Sequence, residues 1–266
     1  MTSAPTATST PSDRSAPSAP APAVTARDVE YRHGATRLIG HLCVPAGGAA
    51  GPAVLLLPDA YGVSGHMTGL ARRLAGLGHA TLVADLWGDG LLPADQAEFG
   101  PLIGAMAADR AHWTGRVRAA HEALLAQEDA DTAAVVALGY CFGGSSALEY
   151  ARTGGEVAGV VSVHGGLDIL AFDWSAAHPA PVLVCTGAQD PMATPGMRAD
   201  LTAAMTAAGL DWQEHVYSRT VHAFTSPTSK SSARPDVVAY SARSTARAWD
   251  ATLRFLREVG DPRSAA

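Results

Sequence analysis

Between residues 28 and 259, short runs of continuous apolar residues alternate with longer stretches in which apolar side chains recur every three or four positions. The short runs at 53–57, 80–84, 133–138, 157–163, 181–186 and 212–217 predict strands, most of them buried on both faces. Residues 66–77 predict a helix: Met67, Leu70, Ala71, Leu74 and Leu77 share one side, and Gly78 stops it. The same periodicity predicts helices at 109–127, 142–152, 195–208 and 236–259, and leaves 87–108 as loop. Ahead of these, residues 28–44 alternate loosely around His33, Gly34 and Ala35, the pattern of an antiparallel hairpin that Pro45 closes at a sheet edge. Strand and helix alternating this regularly predict an α/β fold, with a mostly parallel central sheet, an N-terminal antiparallel hairpin and helices on both faces. The connection at 165–179 is too short to hold a large lid domain.

Composition changes this picture at one end. With 266 residues, 47% of them hydrophobic, the chain can bury one substantial core. The first two dozen residues are nearly all Ala, Pro, Ser and Thr, too poor in apolar side chains to offset chain entropy. Residues 1–24 are therefore expected to form a disordered tail and 25–266 a single domain. Prolines recur through that tail and Leu, Ile and Phe are missing from it, so no cleaved export signal is expected. No apolar stretch reaches the length of a membrane span. A net charge of −6 without a basic block offers nothing to a phosphate backbone, so nucleic acid is not an expected partner. Three scattered cysteines make no disulfide framework, which points to the reducing cytoplasm.

The chemistry is concentrated where predicted strands end. Gly139-Tyr140-Cys141-Phe142-Gly143-Gly144 reads as a strand turning sharply into a helix, with a thiol at the apex and small residues two before and two after it. Such a turn lifts Cys141 above the sheet and leaves the backbone N–H of Phe142 free at a helix N-terminus, where an oxyanion can be held. The positive end of the helix dipole favours thiolate over thiol. Cys43 and Cys185, inside apolar runs, read instead as core strand residues. Asp190, just past a strand in Gly187-Ala188-Gln189-Asp190-Pro191, and His222, beyond the last strand, follow in the order nucleophile, acid, histidine that this fold requires. Asp59 ends a fourth strand. Ligands of such sheets sit beyond the strands' carboxyl ends, so Asp59, Cys141, Asp190 and His222 converge on one candidate site.

Other residues carry less. Tyr61, Trp87, His164 and Phe224 are candidates for the substrate pocket, with Phe99 beside Trp87. His164 reads more ordinarily as a packed, hydrogen-bonded histidine, and Trp87 and Phe99 serve equally well as core. No tight metal-ligand spacing occurs, so a metal is not expected, and a Gly-rich nucleotide fingerprint after the first parallel strand is missing.

Residues 139–144, 187–191 and His222-Ala223-Phe224 resemble the signature segments of the dienelactone hydrolase family, and the likeness extends over residues 29–259. The resemblance implies an α/β-hydrolase fold, no cofactor, and Cys141, His222 and Asp190 as a catalytic triad. Pro58-Asp59-Ala60-Tyr61-Gly62-Val63 is similar to the family's oxyanion segment, which implies Ala60 as the second N–H donor beside Phe142. Asp59 stands where those enzymes carry a glutamate that interacts with the resting thiol, so it is expected to tune Cys141. Ser226 stands where they carry an arginine for the substrate carboxylate; Arg110, Arg116 and Arg219 are the candidate substitutes. The expected activity is hydrolysis of a small-molecule ester or enol lactone through a thioacyl-enzyme, in a monomer or homodimer. The same site also suits elimination, cyclisation or acyl transfer, and a catalytically silent binding protein is the reading from another class.

Overall fold

In a computed structural model, residues 23–261 are described. Strands β1 (Val24–His33) and β2 (Thr36–Pro45) pair antiparallel around Gly34, whose φ of +58° suits a residue without a side chain. The expected tail ends two residues early: Val24 already pairs with Pro45, and Ala23 accepts from the Ala46 N–H at 2.8 Å. The rest of the tail lies outside the described residues.

Six further strands complete one sheet: β3 (Ala53–Leu57), β4 (Thr81–Val83), β5 (Val135–Tyr140), β6 (Gly159–Val163), β7 (Val182–Gly187) and β8 (Trp212–Tyr217). The order is β1-β2-β4-β3-β5-β6-β7-β8, antiparallel up to β4 and parallel from there on. The central strands are buried along their whole length, which is why they read as continuous apolar runs.

Alternate residues of each strand feed two cores. Leu55, Leu57, Ala137 and Val184 pack with Trp113 and Val117 of α3 (Arg110–Leu125), Ala147 and Leu148 of α4 (Phe142–Arg152) and Leu201 of α5 (Pro195–Ala207). Val54, Leu56, Leu138 and Val161 pack on the other face with Met67 and Leu74 of α1 (Gly65–Ala75) and Phe255 of α6 (Ala242–Gly260). Cys43 and Cys185 belong to this second core, and burial pushes the Cys185 thiol up to about 11. Among the described residues no helix is long and apolar enough to cross a membrane.

Two expectations need correction. The stretch expected as loop contains α2 (Gln96–Ala108). Gly100, Pro101 and Gly104 mask it, and only Met106 is buried, so no apolar face advertises it. Its start nonetheless carries a legible cap, Asp95 with Glu98 three residues on: Asp95 Oδ1 accepts from the Ala97 and Glu98 N–H groups, and the Glu98 carboxylate accepts from the Ala94 N–H just before the cap. The closing helix begins at Ala242 rather than at 236, with Ser241 as its cap. The residues before it run alongside His222 instead: the His222 N–H donates to Val237 O at 3.0 Å, and the Ala239 N–H donates to His222 O at 3.3 Å.

Glu149 of α4 is wholly buried and fixes the helices around the site. It pairs with Arg110 at 2.8 Å and Arg152 at 2.6 Å, and these two also donate to the carbonyls of Ile169 and Asp173. Arg152→Met would leave Arg110 on Glu149 Oε1 but strip the buried Oε2 of its partner, and the expected cost is about 3 kcal/mol, read from the denaturant midpoint. Arg234→Ala, which removes a solvated pair with Asp236, is expected to leave that midpoint unchanged.

Candidate active site

The apex of the turn between β5 and α4 is Cys141, at φ +53° and ψ −120°. A side chain holds this left-handed backbone only when its surroundings impose it. Here they do: a Cβ on Gly139 would stand 1.9 Å from Gly143 O, and one on Gly143 would stand 2.0 Å from Leu57 O. Strand and helix therefore close to a distance that only glycine permits. The Cys141 N–H is shared between Val163 O and His164 Nδ1, each at 3.1 Å.

Three chain-distant residues meet at the sulfur. His222 Nε2 lies 3.1 Å from Cys141 Sγ, and His222 Nδ1 lies 2.9 Å from Asp190 Oδ2. Asp190 sits in the turn after β7, where its other oxygen accepts from the Met192 N–H at 2.9 Å. His222 is fully enclosed. Burial alone would lower its pKa, but the interactions with the Cys141 sulfur and the Asp190 carboxylate outweigh it and raise the ring to about 10. The arrangement favours the imidazolium form of His222.

Beside the sulfur the segment after β3 presents backbone donors. Asp59 Oδ1 accepts from the Tyr61 N–H at 3.0 Å, and Asp59 O accepts from the Gly62 N–H at 3.1 Å. Among the described residues, the N–H groups of Ala60 and Phe142 have no partner. Trp87 braces this segment: its Nε1 donates to Ala60 O at 3.1 Å, and its indole stacks on Phe142, which stacks in turn on Trp113, at 4.9 and 5.1 Å between ring centres.

A family model for the dienelactone hydrolase family matches residues 39–260. The chain belongs to the dienelactone hydrolase family. Among solved structures, a dienelactone hydrolase-like promiscuous phosphotriesterase from metagenomic libraries is 39% identical, with a TM-score of 0.83 over 90% of this chain and 100% of that one. A protein named m3DLH is 35% identical, with a TM-score of 0.83 over 90% and 99%. A dienelactone hydrolase from Anabaena variabilis, 24% identical with a TM-score of 0.61 over 89% and 98%, shares the fold. No curated protein matches the chain. The chain thus has the α/β-hydrolase fold and is a member of a hydrolase family.

The remaining residues of this dienelactone hydrolase relative sort by burial. Tyr61 is half-buried and meets Phe99 edge to face at 5.4 Å, forming an aromatic rim. Leu91, 46% exposed, brings its carbonyl beside Gly62, and Leu92, 54% exposed, follows it in the chain. Sequence reasoning missed both, since neither belongs to a periodic run. Phe224 faces the core and not a pocket: it is wholly buried between Tyr217 and His164. His164 likewise stands behind the sulfur, with both ring nitrogens engaged. Trp87 is 6% exposed and acts as a buttress.

Asp85 was also missed. It accepts from the N–H groups of Ile39, Trp87, Gly88 and Gly90 and so shapes the loop that carries Trp87. A buried aspartate at a strand's carboxyl end was the available signal. Arg116 is committed to Leu86 O, and Arg110 to Glu149, so neither stands free to replace the arginine lost at Ser226. Arg219 sits in the turn after β8 at φ +54°. A surface cavity of about 470 Å³ lies elsewhere, lined by His121, Tyr150 and Glu156, and shares no residue with this cluster.

Asp59 makes no hydrogen bond to Cys141 among the described residues. Burial pushes its carboxyl up to about 6 from 3.8, partly opposed by the Tyr61 N–H. Between those two values the folded chain holds a proton that the unfolded chain has released, so stability falls as pH rises through the window. Asp59→Asn is expected to remove that loss, making the variant more stable by roughly 3 kcal/mol at pH 8 and little changed at pH 4. Thermal denaturation across pH checks it.

Proposed function

We propose that the protein hydrolyses small-molecule esters and enol lactones carrying a stabilised leaving group, with Cys141 as the nucleophile. The reading rests on the 3.1 Å contact between Cys141 Sγ and His222 Nε2, backed by Asp190. The thiolate attacks the carbonyl carbon, and the N–H groups of Ala60 and Phe142 receive the negative oxygen, each worth about 3 kcal/mol of barrier. Collapse expels the alcohol or enolate, protonated by His222, and leaves a thioacyl-enzyme. His222 then takes a proton from water, which attacks the thioester and regenerates the thiol, while Asp190 orients the ring and balances its charge.

A thiolate is itself a good leaving group, so the first step goes forward best when the substrate's leaving group is also stabilised. That selects aryl esters and enol lactones over alkyl esters. In this reading Asp59 acts on the sulfur through its charge rather than by contact, and Tyr61, Phe99 and Leu91 form the rim against which an apolar substrate lies. With Ser226 in place of an arginine, and with Arg110 and Arg116 engaged by Glu149 and Leu86 O, the site favours neutral substrates.

The 39% identical neighbour, described as a promiscuous phosphotriesterase, supports a second substrate class. A thiolate can attack phosphorus in line and expel an aryloxide, leaving a thiophosphoryl enzyme for water to hydrolyse. Cys141→Ala is expected to cut turnover of an activated aryl ester at least about 1,000-fold with the fold unchanged by circular dichroism. Mass spectrometry of the wild type, quenched during turnover, is expected to show an acyl adduct on the peptide containing Cys141. Undiminished turnover in the variant would overturn the assignment; an aryl phosphotriester run in parallel tests the second class.

A further inference from the structure

We propose that His164 is a positioning residue for this reaction, an imidazole strut that ties the backbone of the nucleophile to the loop carrying His222. The inference rests on the proposed role of Cys141 and His222. His164 follows β6 and is 1% exposed. Its Nδ1 accepts from the Cys141 N–H at 3.1 Å, and its Nε2 lies 2.7 Å from Thr225 Oγ1, three residues beyond His222. One ring therefore spans from one partner of the thiol–imidazole pair to the segment that holds the other.

Three observations separate a strut from ordinary core filling. First, the bonds define the ring's state. Nδ1 accepts, so the single proton of the neutral ring sits on Nε2 and donates to Thr225. Burial and the charge of His222 both hold His164 well below the usual histidine range, so it does not compete for the thiol's proton. Second, the ring packs against the groups it aligns: His222 at 5.5 Å and Phe224 at 5.0 Å, both edge to face, with Tyr140 at 5.8 Å. Third, His164 adopts φ +42°, a conformation that favours glycine, although Gly165 and Gly166 follow immediately. A turn needing only left-handed backbone is satisfied by glycine at 164; a strained histidine there is retained for its side chain.

His222 is held from the opposite side by the backbone bonds to Val237 and Ala239. With Thr225 tied to His164, the imidazole is bracketed, and the separation of 3.1 Å between sulfur and nitrogen is fixed from two directions.

The test cuts the strut at its far end in two ways. Thr225→Val removes the hydroxyl. His164→Asn keeps an acceptor for the Cys141 N–H but no longer reaches residue 225. Each is expected to lower kcat for an aryl ester about 10- to 100-fold with KM unchanged, and to raise the pH midpoint of iodoacetamide alkylation at Cys141. The double variant is expected to be no worse than either single one, because both break the same link. Thr225→Ser, which keeps the hydroxyl, is expected to recover most of the loss. A lowered melting temperature with kcat and the alkylation midpoint as in the wild type, or losses that add in the double variant, would overturn the strut. Alkylation reads the thiol without any substrate, so it decides this point even if the wild type proves inactive on every ester.

Discussion

Glycine-only contact between the end of β5 and the start of α4 is the constraint on which the site depends. Gly139 and Gly143 let the strand and the helix approach until no Cβ fits, and the residue between them is driven to φ +53°. That single backbone conformation turns the Cys141 side chain away from both cores, ends one ladder of hydrogen bonds and opens another. The N–H of Phe142 is left over because the first turn of any helix has no internal acceptor for it. Exposure of the thiol and availability of a donor beside it thus have one cause.

The other parts of the site are held by loops, and each loop is anchored by an unusually complete set of bonds. Asp85 gathers four backbone N–H groups and sets the loop of Trp87, which in turn braces Ala60. Glu149 collects Arg110 and Arg152 under α4, and the same arginines hold the connection after β6. His222 gains its place from the segment at 237–239 and from Asp190. Buried charge is tolerated in each case because partners meet it; where one partner is scarce, as for Asp59, the carboxyl holds its proton more tightly instead.

The strands and most helices were legible because their period reports burial directly. Val54, Leu55 and Leu56 are buried on both faces, and Met67, Ala71 and Leu74 line one side of α1. Helix α2 escaped because little of it packs, so its glycines and proline outweighed its cap. The start of α6 was misplaced for the opposite reason: residues 237–239 are needed at His222, a tertiary demand that no local pattern encodes. Two of the pocket candidates stand elsewhere than expected for a similar reason. Phe224 and His164 lie close to the site in sequence or topology, yet both face inward, because side-chain direction in an irregular loop follows no period.

By itself, the sequence determined the α/β architecture, the sharp turn at Cys141 and the order in which Cys141, Asp190 and His222 follow one another, since these depend on residue type, period and chain order. Tertiary structure alone decided that those three side chains meet at 3.1 and 2.9 Å, that Asp59 leans on Tyr61 rather than on the thiol, and that Arg110 and Arg116 are committed elsewhere. It also decided that His164 joins the two loops. Distances between groups dozens of residues apart are set by how sheets and helices pack, and a one-dimensional pattern carries no measure of that.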